Sequence, residues 1–137
     1  MKRIEVAIAV VVDGGRVLIC QRKEKDTFGG FWEFPGGKCE AGETLEECLV
    51  RELREELAIV VEAVEKYPPI AHDYPHVRLT LHPFRCRWVS GDVKLIECQR
   101  FQWVEPEKIR GFRFPPANAA LVERVASEIR GGSVDVP

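Results

Sequence analysis

From Thr44 to Leu57 the chain carries no glycine or proline, helix formers dominate, and Leu45, Leu49, Leu53 and Leu57 recur every four residues. That spacing predicts an amphipathic helix whose leucine stripe another layer must cover. On a wheel of about 100° per residue, Leu49, Leu53 and Leu57 fall within about 80° of one another. Leu45, Glu52 and Glu56 run along one edge of the stripe, and Glu55 lies about 60° beyond Glu52. Three carboxylates therefore border a buried face. A solvated glutamate-rich face is the common meaning of such composition. Like charges at i, i+3 and i+4, however, repel by about a few tenths of a kcal/mol per pair, and by more where partly desolvated. Arg51 and Arg54 project elsewhere on the wheel, so neither is the expected neutralising partner of all three. A hard divalent ion with oxygen ligands suits the edge better, and Mg²⁺ needs only a few carboxylates while keeping waters and substrate oxygens in its shell.

The segments around this helix read as strands. Ile4 to Val12 is rich in valine and isoleucine, and Asp13-Gly14-Gly15 turns it into a second strand, Val17 to Gln21, giving a β-hairpin. A polar loop with Gly29-Gly30 leads to a short strand, Phe31 to Phe34, closed by a loop at Pro35-Gly36-Gly37, where two glycines let a backbone carbonyl approach an ion or a phosphate. Strands are predicted at Val60 to Tyr67, at Val77 to Val89 with Pro83 marking an edge or bulge, and at Gln102 to Val104. Between them His72 and His76 flank Asp73-Tyr74-Pro75 in a loop and are expected at the surface. Pro115-Pro116 sets up a terminal helix from Ala117 to about Ile129, ended by Gly131-Gly132. The order is strands, helix, strands, helix, an α+β or mixed-sheet sandwich.

Composition narrows the function classes. The 137 residues, 45% of them apolar, fit one domain with an ordinary core. A net charge of -2 supplies no field that would draw the chain to nucleic acid or to an anionic membrane. Five cysteines without a C-x-x-C pair form neither a disulfide framework nor a zinc site, which fits a reducing cytoplasm. The apolar run near the start resembles a signal peptide only superficially, being short and followed by a turn.

The stretch GGKCEAGETLEECLVRELREELAI resembles the Nudix box, G-x5-E-x7-R-E-U-x-E-E-x-G-U with U aliphatic. Gly37, Glu43, Arg51, Glu52, Leu53, Glu55, Glu56 and Ile59 fit it, and Ala58 stands where the family has glycine. That position ends the helix, where alanine either extends the last turn or takes a strained left-handed conformation costing about 1 kcal/mol. The resemblance implies a Nudix fold, a mixed β-sheet sandwiched between α-helices, formed by residues 1–132 as a single domain with 133–137 as a flexible tail. It implies hydrolysis of a nucleoside diphosphate linkage. Glu52, Glu55 and Glu56 would hold Mg²⁺ with the Gly36 carbonyl, Mn²⁺ being a substitute, and Arg51 would orient the glutamates.

The likeness extends over nearly the whole chain to the MutT branch of that family, which removes oxidised purine triphosphates from the nucleotide pool. Phe114-Pro115-Pro116-Ala117-Asn118 resembles the segment whose asparagine reads the oxidised base. Arg22, after Gln21, resembles an arginine on the substrate phosphates, and Glu97 a further acid near the metals. Phe34 is a candidate to stack on or support the base, and Val77 completes the expected substrate set of Arg22, Phe34, Gly36, Val77 and Asn118. An amide suits 8-oxoguanine because oxidation turns N7 from an acceptor into an N–H donor beside a new carbonyl. The bland alternatives are a helix-capping Asn118, a solvated Arg22, a loop acid at Glu97 and core roles for Phe34, Trp32 and Trp88. The expected activity is hydrolysis of 8-oxo-dGTP to 8-oxo-dGMP and pyrophosphate by a cytoplasmic monomer that binds no nucleic acid or membrane. The rivals are a CTP or oxidised-pyrimidine pyrophosphatase, which FWEFPGG and RELREEL also resemble, and a catalytically silent nucleotide-binding Nudix module.

Overall fold

Alternation along the first strand decides the architecture. In the computed structural model, which describes residues 2–129, β1 (Lys2–Asp13) is buried on both faces. Ala7, Ala9 and Val11 pack with Leu49, Leu53 and Leu57 of α1 (Leu45–Leu57). Ile8 and Val10 pack with Leu121, Val122 and Val125 of α2 (Ala119–Glu128). A strand apolar at every position from Val6 to Val12 needs cover on both sides, and the two helices supply it. The result is the expected α+β sandwich, one mixed sheet between helices.

Gly14 and Gly15, at φ +57° and +76°, close the two-residue turn from β1 into β2 (Arg16–Gln21). The hairpin splits at once. β1 pairs with β2 only at Val12 and Asp13, then takes β4 (Gly36–Lys38) as its partner from Val6 to Ile8. Meanwhile β2 pairs with β3 (Trp32–Glu33) and with β8 (Arg100–Val104). On its other side β1 runs parallel to β7 (Val77–Ser90) from Lys2–Val77 to Val12–Arg87. The far flank of β7 is shared by β6 (Ile70–Tyr74), paired as far as Leu81, and β5 (Val60–Lys66), paired from Phe84 onward.

Three sequence expectations change. The Pro35-Gly36-Gly37 loop is instead the entry to a strand, because glycine lets β4 lie against β1 where a side chain cannot. A Cβ on Gly36 would collide with the Ala7 carbonyl and the Ile8 Cα. The stretch expected as a loop around Asp73 is strand β6, with His72 half-buried and its ring 4.6 Å from that of Tyr74. Pro83 sits mid-strand at the changeover from β6 to β5, where a missing N–H breaks no ladder and its carbonyl accepts from Tyr67 N–H at 2.9 Å.

Helix α1 begins in a capping box, Thr44 and Glu47 bonding reciprocally, and ends at Ala58 in the left-handed conformation, φ +59°. The strained alternative foreseen at Ala58 is the one adopted. The terminal helix starts later than expected: Pro116–Asn118 form a 3₁₀ turn before α2. The domain boundary at 132, the Gly131-Gly132 stop and the 133–137 tail lie outside the described residues. Among those described, no helix is long and apolar enough to cross a membrane.

Candidate active site

Where β1 exchanges β2 for β4, the sheet opens, and Gly36 and Gly37 stand between α1 on one face and a cavity on the other. On the helix side, burial follows the wheel. Glu56 is 5% exposed, Glu52 half-buried and Glu55 exposed. Glu56 accepts a hydrogen bond from Gly36 N–H at 3.1 Å. Gly37 packs so tightly on Glu52 that a Cβ would collide with its Oε1.

Arg51 corrects the wheel-based expectation that it points away. Its Nη1 donates to Glu52 Oε2 at 2.7 Å and to Glu55 at 3.2 Å, while Nε and Nη2 bond Glu43 at 2.5 and 2.9 Å. A long arginine stem lets the charged head swing along the helix surface, which a wheel of Cβ directions misses. Glu43, held by Arg51, has its pKa lowered to about 2. Arg51 does not reach Glu56, whose pKa burial, and then the charge of Glu33, push up to about 9. Burial also raises Glu33 and Glu52, and the exposed Glu97 adds to both by its charge. Lys94 and Ile96 N–H groups donate to the Leu57 and Glu56 carbonyls at 2.9 and 3.3 Å, which pins the Glu97 segment to the end of α1.

Among the described residues no three acidic, histidine or cysteine side chains converge as a ready cage. Arg51 draws Glu52 and Glu55 outward while Glu56 turns to Gly36, so the expected metal set is a neighbourhood rather than a preassembled shell. That neighbourhood still fits a divalent cation. It holds a buried carboxylate that no cation neutralises and two neighbours raised by burial.

On the other face a cavity of about 270 Å³ brings together Arg22, Phe34, Gly36 and Asn118, four of the five expected substrate residues. Val77 is not in its lining; Leu79 and Leu81, further along β7, take that place. Asn118 immediately precedes α2 and makes no side-chain cap bond, so the capping alternative fails and its amide stays available to the cavity. Arg22 is not a free solvated side chain, since Nη1 donates to Glu33 Oε1 at 2.7 Å and Nε to the Thr27 carbonyl at 2.6 Å. Phe34 is 2% exposed, with its ring 5.1 Å from Phe114, so it is at once core and cavity wall. Trp32 and Trp88 are partly buried against the two cores.

The sequence reading missed Glu33, Thr27, Phe28 and Tyr74, all in the cavity lining. A carboxylate inside the aromatic run Phe31 to Phe34 was the available signal for Glu33. For Tyr74 there was none, because its segment carried no strand pattern.

The fold sets the buried Glu56 and the half-buried Glu33 and Glu52 beside a cavity that holds an arginine, an amide and aromatic rings, an arrangement suited to an anionic, aromatic ligand. The Nudix-domain profile matches residues 6–124. The chain is 37% identical over 128 residues to an 8-oxo-dGTP diphosphatase of Haemophilus influenzae, covering 93% of this chain and 94% of that protein. It is 34% identical to the CTP pyrophosphohydrolase of Escherichia coli K12, covering 90% and 91%. A crystal structure of a MutT protein from Methanosarcina mazei Go1 aligns with a TM-score of 0.82 at 29% identity, covering 93% and 95%. The chain belongs to the Nudix family. Nudix hydrolases generally need a divalent metal ion.

Proposed function

We propose that this protein hydrolyses 8-oxo-dGTP to 8-oxo-dGMP and pyrophosphate, with Mg²⁺ as its metal and Mn²⁺ as a substitute. It is a hydrolase of diphosphate linkages, and the observation that carries the substrate is the cavity holding Asn118 and Arg22 directly across Gly36 from the glutamates. The amide of Asn118 offers the donor and acceptor that an oxidised purine edge requires, and ordinary guanine would leave a buried polar group unpaired there. Arg22 stands where a phosphate can replace part of its bonding to Glu33 and Thr27.

Glu52, Glu55, Glu56 and Glu97, with the Gly36 carbonyl, are the groups that would hold the metal. When bound, the ion would screen phosphate charge and make phosphorus more electrophilic. Arg51 keeps Glu52 oriented through the 2.7 Å bond, and Gly36 N–H does the same for Glu56. One of these carboxylates takes the proton of the attacking water, help typically worth about 10²- to 10⁴-fold. Residues 1–132 act as one domain, monomeric and cytoplasmic, the compartment being supported by five cysteines that form no disulfide.

Comparison of kcat/KM across 8-oxo-dGTP, dGTP, 8-oxo-dATP, CTP and 5-hydroxy-CTP tests the assignment, and preference for a pyrimidine would sink it. The CTP alternative stays on the panel because the Escherichia coli CTP pyrophosphohydrolase, at 34% identity, is nearly as similar as the Haemophilus influenzae diphosphatase at 37%. A silent binding module is disfavoured by the intact Glu52, Glu55 and Glu56.

A further inference from the structure

Phe28, in the loop between β2 and β3, has φ +57°, the left-handed region in which a bulky side chain is strained. Glycine would adopt that backbone freely, yet the glycines stand one and two residues later, at Gly29 and Gly30. The surrounding loop is tied down. Phe31 N–H donates to the Phe28 carbonyl at 3.0 Å and Gly30 N–H to the Arg22 carbonyl at 3.1 Å, while Arg22 Nε holds the Thr27 carbonyl. Strain of this kind persists where the neighbouring structure over-determines it, and it concentrates at ligand sites. Phe28 packs its ring on Phe31 at a centroid distance of 5.3 Å but belongs to neither core cluster. It lines the cavity instead, and there it meets Tyr74 from β6 at a centroid distance of 5.9 Å.

We propose that Phe28 and Tyr74 form the aromatic wall on which the substrate's base stacks, and that this wall sets the preference for a two-ring over a one-ring base. The proposal rests on the nucleotide reading above. Stacking senses the area of a π face and is blind to the groups on a base's edge. Asn118 senses the edge. The cavity therefore makes two separable selections, purine against pyrimidine at the wall and oxidised against ordinary purine at the amide. The loop holds Phe28 in place before substrate arrives, so little ordering is left for binding to drive.

Steady-state kinetics of Phe28→Ala, Phe28→Gly, Phe28→Trp and Tyr74→Ala on 8-oxo-dGTP, dGTP and CTP test this. In Phe28→Ala and Tyr74→Ala the KM for both purines should rise about tenfold, the loss falling on KM rather than kcat. The kcat/KM ratio of 8-oxo-dGTP to dGTP should hold, while the advantage of purines over CTP shrinks. Phe28→Trp should keep the parent KM and show indole quenching by 8-oxo-dGMP beyond that of the parent. Phe28→Gly also relieves the positive φ, so it carries the same test should the alanine variant fold poorly. Folded Phe28→Gly and Tyr74→Ala proteins whose KM stays within about twofold of the parent would overturn the wall, as would collapse of the oxidised-to-ordinary ratio. A parent enzyme that prefers CTP overturns the substrate assignment and the two-ring preference together. A parent that prefers 8-oxo-dGTP, with unchanged KM in Phe28→Gly, overturns the wall alone.

Discussion

Replacing Glu56 by glutamine is expected to stabilise the metal-free protein while removing its turnover. Glu56 is 5% exposed and accepts from Gly36 N–H at 3.1 Å. Burial, then the charge of Glu33, raises its pKa from 4.5 to about 9. A carboxyl with a folded pKa above its unfolded value imposes no cost below about pH 4.5. From there to about pH 9 the folded state loses roughly 1.4 kcal/mol of stability per pH unit. Between pH 4.5 and 7 the penalty accumulates to about 3 kcal/mol. Glutamine keeps an acceptor for Gly36 and never ionises. In EDTA at pH 7, differential scanning calorimetry of the variant should therefore show a Tm about 10 °C above the parent. The gap should close toward pH 5 and widen toward pH 8. Added Mg²⁺ should raise the parent's Tm more than the variant's, because an ion that binds only the folded state stabilises by mass action. Turnover should fall by about 10²-fold or more, as for a group needed in the transition state. A variant that melts below the parent at pH 8 without metal, or a gap of equal size at pH 5 and pH 8, would refute the picture of a buried carboxylate waiting for a cation.

The remaining expectations bear on the groups around it. Gly37→Ala should fold normally but lose about 10²-fold in kcat, because the new Cβ meets Glu52 Oε1 and displaces the carboxylate; a parent-like rate would show that Glu52 need not sit there. Asn118→Ala should lose discrimination between 8-oxo-dGTP and dGTP by more than it loses kcat on dGTP, measured as a ratio of kcat/KM values. For Glu43→Gln the sign is that of a depressed carboxyl. The Arg51 pairing stabilises the parent above about pH 4.5 and is lost as pH falls toward about 2, so urea unfolding should show a stability gap at pH 7 that narrows steadily below pH 4.5.

Much of the site is legible in the sequence. The leucine spacing located α1 and its buried edge, and the graded burial of Glu56, Glu52 and Glu55 follows the wheel. The valine-rich opening and the Asp13-Gly14-Gly15 turn marked both strands and the turn between them, although the two strands stay paired only at Val12 and Asp13. Other features were hidden for identifiable reasons. Strand β4 is two glycines and a lysine, with no apolar alternation to betray it. Strand β6, from Ile70 to Tyr74, mixes apolar, polar and charged residues beside prolines, which local propensity cannot distinguish from a loop. The wheel alone points Arg51 away from the glutamates, because it tracks where a side chain leaves the helix, whereas a long arginine is positioned by the partners it finds, here Glu43, Glu52 and Glu55 but not Glu56.

Local periodicity and motif spacing, which depend only on neighbours along the chain, determined the acidic helix, the α+β class and the expectation of a cation beside that helix. Long-range pairing decided the rest. The sheet opens where β1 leaves β2 for β4, and that exchange alone sets Gly36 between Glu56 on one face and Asn118, some eighty residues further on, in the cavity across it. No spacing encodes it, because strand partners are chosen by which apolar faces must be buried together, and β1 is apolar on both.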